Sequence, residues 1–264
     1  MFFAAFRLFR VPTFFGLAGL DSPANGGGGF FKEEKMTTRI YLIRHGATTL
    51  SAEDRFSGGT DVDLSEEGRW QAACLARRLV DDKIVAFYCS PMRRTLQTAA
   101  ILSEPYHLTP VPREGLREIH HGRWETMRRW EVEEQYPEEY ASWQEDPFTF
   151  APLGGESGVM VMARSLPVIR EIVVSHAGQR VAIVSHKATI RLVLSSLLGF
   201  DARGYRDRLD QSPACLNIID FKDPVRARLM LFNDVSHYID QPPYAEKRLS
   251  EWFDVNKGEI STNK

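Results

Sequence analysis

Three short apolar runs at residues 40–43, 85–89 and 181–184 constrain this chain most, because each gives way to a helical pattern. Such runs read as strands buried on both faces. After the first, Ser65 is placed to cap a helix whose apolar stripe is Ala72, Leu75, Ala76 and Leu79. A second helix is expected over residues 93–102. A third is expected over 188–198, stopped by Gly199. Strand alternating with helix predicts an α/β fold: a single three-layer α/β/α domain around a mostly parallel sheet. Two further strands are expected at residues 216–221 and 227–232. Residues 159–173 carry helical spacing through Met162, Leu166 and Ile169, with Pro167 expected to kink the helix or mark a late start. From Trp124 to Trp143 the pattern is helical, aromatic and acidic, which predicts a small cap inserted beside the sheet.

With 264 residues, 43% of them hydrophobic and 26% charged, the chain can bury one large core. Its formal charge of −2 argues against a nucleic-acid partner. Cys74, Cys89 and Cys215 are odd in number and far apart, so no disulfide framework follows and a reducing cytoplasm is expected. The first 35 residues are rich in Phe and Gly. Arg7 and Arg10 break their apolar stretch, so no membrane span forms there. They read as a disordered or artefactual extension in preference to a targeting peptide, with Met36 as the natural start and residues 36–264 as one domain. A homodimer is left open.

Ligands of parallel sheets sit beyond the carboxyl ends of the strands. The first run delivers Arg44, His45 and Gly46 to that edge, the second Ser90 and then Arg93 and Arg94, and the third Ser185 and His186. Guanidinium groups match phosphate oxygens and keep their charge. The helix after His186 would offer N–H groups and a positive dipole end to the same anion. A neutral imidazole can attack phosphorus, and Gly46 behind it is expected to let a phosphoryl group approach closely.

An Arg-His-Gly triplet directly after a strand resembles the opening motif of the histidine phosphatase superfamily, which includes cofactor-dependent phosphoglycerate mutases. Further matches follow in the family's order: Arg55, Gly58, Asp61, Leu64, Ser65 and Gly68; residues 90–99; Leu116 to Ile119 with Gly122, Trp124 and Glu125; residues 154–157; and Ser185, His186, Ile190 and Arg191. The resemblance implies that His45 takes the phosphoryl group and Glu118 protonates the leaving oxygen. It also implies that Arg44, Arg94 and His186 hold the phosphoryl oxygens, with Arg55 at the pocket rim and Arg93 on a solvated face. No metal or other cofactor is implied. The expected partner is a small phosphorylated metabolite, and the expected reaction is phosphomonoester hydrolysis.

Four departures from the family pattern stand out: Ala47, Leu50 with Ser51, Thr126 where Gly often follows Trp-Glu, and Lys187 with Ala188 in place of Gly-Gly. Lys187 either faces solvent or meets a second anionic group of the substrate. The Glu-rich residues 131–139 would repel a bisphosphorylated intermediate, which favours a phosphatase over a phosphoglycerate mutase, and the presence of both histidines, both arginines and Glu118 disfavours a non-catalytic phosphate-binding protein on the same fold. Adjacent His120 and His121 do not make a zinc site. His107 and His237 are expected to be structural. Trp130, Tyr136, Tyr140 and Trp143 should pack between helices, and Arg203, Arg206 and Arg208 should form a solvated turn.

Overall fold

The computed structural model describes residues 37–49 and 55–239. The expectations for residues 1–35, Met36, Leu50 and Ser51 lie outside these. Among the described residues, six strands form one sheet in the order β3-β2-β4-β1-β5-β6. The strands are β1 (Thr38–Arg44), β2 (Ile84–Cys89), β3 (Val111–Pro112), β4 (Arg180–Ser185), β5 (Leu216–Phe221) and β6 (Ala227–Asp234). β1 to β4 are mutually parallel where they pair, while β5 and β6 run antiparallel along one edge.

Side chains of β1 alternate between two cores, as the strand period requires. Ile40 and Leu42 pack with Ile169, Ile172 and Val173 of α5 (Gly158–Ser175), and with Ile190, Val193 and Leu194 of α6 (Lys187–Leu198). Tyr41 and Ile43 pack with Leu75, Ala76 and Leu79 of α1 (Glu66–Leu79), and with Ala99 and Leu102 of α2 (Arg93–Ser103). Helices therefore cover both faces, giving the expected three layers. Each aliphatic side chain so buried contributes about 1.5–3 kcal/mol.

The helix boundaries follow local chemistry. Ser65 caps α1 by accepting from the Gly68 N–H, and Gly199 ends α6 at φ 72°. Ser157 caps α5, so that helix begins at Gly158 and runs through Pro167 rather than starting late. The cap consists of α3 (Arg129–Gln135) and α4 (Pro137–Glu145), held by a cluster of Phe56, Trp124, Val132 and Trp143. A four-residue helix, α7 (Tyr205–Arg208), completes the order.

Two expectations need correction here. The second apolar run is not buried on both faces: a register shift between Ile84 and Ala86 leaves Val85 44% exposed, beside a partner strand of only two residues. Trp130 is 56% exposed and packs between no helices, whereas Trp143 is buried. Among the described residues no helix is long and apolar enough to cross a membrane.

Candidate active site

Register between β1 and β4 sets Arg44 opposite Ser185, so the next residues along, His45 and His186, emerge side by side. Their ring centroids lie 5.2 Å apart, edge to face. The His45 N–H donates to the Ser185 carbonyl (3.0 Å), and the Ser90 N–H to that of Val184 (3.0 Å). Three strand ends thus meet at one edge of the sheet, beside a cavity of about 270 Å³ whose wall carries Arg44, His45 and Arg94.

His45 Nδ1 lies 2.7 Å from the Gly46 carbonyl oxygen. A carbonyl only accepts, so Nδ1 carries the proton and the lone pair of the neutral ring is on Nε2. Burial, then the charges of Arg44 and Arg94, push the His45 pKa well below the ordinary imidazole value. His45 is therefore a neutral imidazole on the cavity wall, as attack requires.

Arg44 Nη1 donates to the Gln211 carbonyl (2.6 Å). Its Nε is buried without a hydrogen-bond partner, which suits an incoming anion. Gln211 is fixed in turn by paired amide contacts with Asn217 (3.0 and 2.7 Å), and Asn217 donates to the Leu42 carbonyl (3.0 Å). Arg94, in the first turn of α2, donates to the carbonyls of Thr60 (2.8 Å) and Gly58 (3.0 Å). Its Nε donates to His186 Nδ1 (3.2 Å), so His186 carries its proton on Nε2 and donates to Ser90 Oγ (2.8 Å). Both ring nitrogens of His186 are thus engaged, and it is fully buried behind Arg94 rather than on the cavity wall. Burial, then Arg94, holds its pKa well below the usual range.

Glu118 sits at the amino end of α6. Oε1 accepts from the N–H of Ile119 (2.9 Å), the N–H of Thr189 (3.2 Å) and Thr189 Oγ1 (3.2 Å), while Oε2 accepts from the Ala188 N–H (3.2 Å) alone among the described residues. Oε2 is the less engaged of the two oxygens.

Gly46 has a different role from the one expected. It is absent from the cavity wall, and a Cβ there would collide with the Gly68 backbone of α1. The glycine lets the chain after β1 approach α1 closely. Arg55 lies on the cavity wall and donates to the Thr126 carbonyl (2.7 Å). Thr126 has φ 71°, the left-handed backbone that explains why glycine is common there in the family.

Lys187 keeps its side chain 36% exposed and also reaches the cavity. It lines the cavity with Nζ 3.4 Å from Asp210 Oδ1, and Arg191 Nη2 shares the same oxygen at 3.0 Å. Burial, then Arg191 and Arg44, lower the Lys187 pKa to about 7 despite Asp210. Arg129 and Trp143 of the cap and Arg206 of α7 complete the far wall. Arg206 corrects the expected solvated turn: its side chain is 11% exposed, paired with Asp207 (3.3 Å) and 4.4 Å from the Trp143 ring. Arg203 does stand in solvent. Arg93 is exposed and pairs with Asp63 (2.8 Å). His121 also lines the cavity, its ring against Phe56, while His237 packs against Tyr238 and His107 sits in a turn. Sequence reasoning gave Asp210, Gln211 and Asn217 no role. Nothing local marks them, because their partners come from distant segments.

Among the described residues no three His, Cys, Asp or Glu side chains are grouped to hold a metal ion. A family model of the histidine phosphatase superfamily (branch 1) matches residues 40–235. The chain is 36% identical over 163 residues to phosphoserine phosphatase 1 of Hydrogenobacter thermophilus, covering 62% of this chain and 77% of that protein. It is 30% identical over 211 residues to the metal-independent phosphoserine phosphatase of Arabidopsis thaliana, covering 78% and 85%. The solved native structure of a mycobacterial glucosyl-3-phosphoglycerate phosphatase superposes with a TM-score of 0.68 at 30% identity, covering 75% of this chain and 99% of that one. With His45, Glu118, Arg44 and Arg94 lining one cavity, the chain belongs to branch 1 of the histidine phosphatase superfamily and is a phosphoric monoester hydrolase.

Proposed function

We propose that this enzyme cleaves small phosphorylated metabolites through a phosphohistidine intermediate on His45. The observation that carries the reading is the fixed tautomer of His45, with Nδ1 bound to the Gly46 carbonyl and the ring on the wall of an arginine-lined cavity. Nε2 attacks phosphorus as the ester P–O bond breaks, and Glu118 Oε2 gives its proton to the leaving oxygen. Water then attacks the phosphohistidine, its proton passes to the Glu118 carboxylate, and inorganic phosphate leaves with His45 regenerated. Arg44 and Arg94 supply the positive charge that stabilises the transferring group, and His186 orients Arg94.

The substrate we favour carries a second anionic group. Lys187, Arg191, Arg129 and Arg206 all lie on the cavity wall beyond the phosphoryl end. Phosphoserine and glucosyl-3-phosphoglycerate, the substrates in the relatives' names, each carry a carboxylate beside the phosphomonoester. Hydrolysis over mutase activity rests on those relatives and not on the acidic stretch. Residues 131–139 contribute nothing to the cavity wall: Glu131 accepts from the Arg128 N–H and Glu139 pairs with Arg123. Cys74, Cys89 and Cys215 are free and buried, which fits the cytoplasm we assign.

The test is a screen of phosphorylated metabolites in EDTA. Turnover is expected to persist, with carboxylate-bearing phosphomonoesters among the preferred substrates. Activity that returned only on adding Mg²⁺ or Zn²⁺ would contradict the mechanism.

A further inference from the structure

The segment that carries Glu118 is held from behind by a pair of residues that touch neither His45 nor the phosphate arginines. Arg164 projects from the second turn of α5. Its Nη1 donates to the carbonyls of Gly115 (3.0 Å) and Arg117 (2.8 Å), and its Nη2 to that of Glu118 itself (3.0 Å). The same guanidinium grips Glu156 through Nε to Oε1 (2.8 Å) and Nη2 to Oε2 (2.9 Å). Glu156 closes the loop: its carboxylate accepts from the His120 N–H (3.1 Å), and its own N–H donates to the His120 carbonyl (2.8 Å). One fork thus ties residues 115, 117, 118 and 120 to the start of α5.

The local sequence is built for this contact. A Cβ at Gly155 would press on the His120 carbonyl and the Gly122 N–H, so glycine lets the two segments meet. A Cβ at Gly115 would press on the Arg164 backbone. Ser157 then starts α5, which places Arg164 seven residues further on, over the acid segment. Gly155 and Glu156, within the stretch 154–157 that matches the family pattern, thereby acquire a role.

We propose that Glu156 and Arg164 are positioning residues for proton donation: they fix the backbone of Glu118 while the first turn of α6 fixes its carboxylate. The inference rests on Glu118 acting as the acid. Held at one end only, the carboxylate would drift from the leaving oxygen, and a displacement of about 1 Å can cost a hundredfold. The loss should fall on substrates that need protonation and spare those that do not.

The clamp borders a second cavity of about 380 Å³, walled by Arg164, Glu156, Arg117 and Glu118 among others. Truncating Arg164 leaves space from which free guanidinium can take the side chain's place.

The experiment compares kcat/KM for phosphoserine, an alkyl ester, with that for nitrophenyl phosphate, whose leaving group departs unaided. Arg164→Ala should lose about tenfold to a hundredfold on phosphoserine and only a few-fold on the aryl ester. Added guanidinium should restore the alkyl activity selectively, and Glu156→Gln should show a smaller loss of the same kind. In a Glu118→Gln background the Arg164 effect should vanish. Arg164→Lys keeps the charge but loses the fork, and gives the same discrimination if the alanine variant does not fold. A leaving-group-selective Glu118→Gln beside a non-selective Arg164 variant would overturn the inference alone. Equal losses on both esters for Glu118→Gln itself would overturn the acid assignment and the inference with it.

Discussion

At the sheet end of the cavity the cations are tied to backbone carbonyls, Arg44 to Gln211 and Arg94 to Gly58 and Thr60. At the cap end Lys187 and Arg191 are tied to a carboxylate, that of Asp210, while Arg206 holds both the Asp207 carboxylate and the Gln144 carbonyl. A backbone tie is set by topology and cannot be exchanged for a ligand without moving the chain. A carboxylate tie can be, because a substrate anion offers the same cation the same charge. The first arrangement suits a phosphoryl group that every substrate shares. The second suits the part of the substrate that differs.

The comparison breaks most visibly at His45. His45→Ala should lower kcat by about 10⁴-fold or more on every ester, because the variant lacks the imidazole that would take the phosphoryl group. A residual activity near wild type would remove the basis for separating the two ends. Glu118→Gln should come next, losing about 10²–10⁴-fold on alkyl phosphates and much less on aryl ones.

At the cap end the effects should be smaller and selective. Lys187→Ala should reduce the kcat/KM ratio of a carboxylate-bearing ester over an aryl phosphate by about tenfold, the worth of one charge-assisted contact. The Lys187 pKa lies at about 7. The amine is charged below that pH and neutral above it, so the wild-type ratio should fall as pH rises through about 7. In Lys187→Ala the ratio should not follow pH. A ratio insensitive to both pH and Lys187 would show that the cap end does not select.

Acid stability sharpens the comparison from the sheet end. Burial lowers the pKa of both His45 and His186. The unfolded chain therefore binds more protons, and stability should be full above the unfolded value of about 6.5 and fall as pH drops below it. Each histidine can contribute a slope of up to about 1.4 kcal/mol per pH unit. Denaturant titrations of wild type and His45→Asn should show a shallower slope in the variant; identical slopes would argue that His45 is not buried neutral. The smallest expected effect is at Thr126, whose left-handed backbone strains a β-branched residue. Thr126→Gly should raise stability by about 1 kcal/mol in the same titration.

The sheet end was also the more legible of the two in sequence. Its residues follow apolar runs, and register alone sets His45 beside His186 and Ser90 next to Ser185. What anchors those residues was hidden: Asn217 and Gln211 are fully buried amides, and Asn217 reaches the Leu42 carbonyl 175 positions away. Gly46 is constrained by α1, whose Gly68 backbone leaves no room for a Cβ, and that contact has no signature in the local sequence. The cap end is assembled from α3, α4, α7 and the start of α6, whose relative placement no periodicity encodes. Arg206 reads as one charge in a solvated run until Trp143 is set beneath it. The two-residue strand β3 is too short to show any period.

The most direct test of the central claim is to quench wild-type enzyme during turnover and locate the phosphoryl group. The account predicts an acid-labile, base-stable adduct on the peptide containing His45, attached at Nε2, because Nδ1 is committed to the Gly46 carbonyl. It also predicts no adduct in His45→Ala. An adduct at Nδ1 or on another residue, or turnover with no covalent phosphoenzyme under conditions that trap short-lived intermediates, would contradict it.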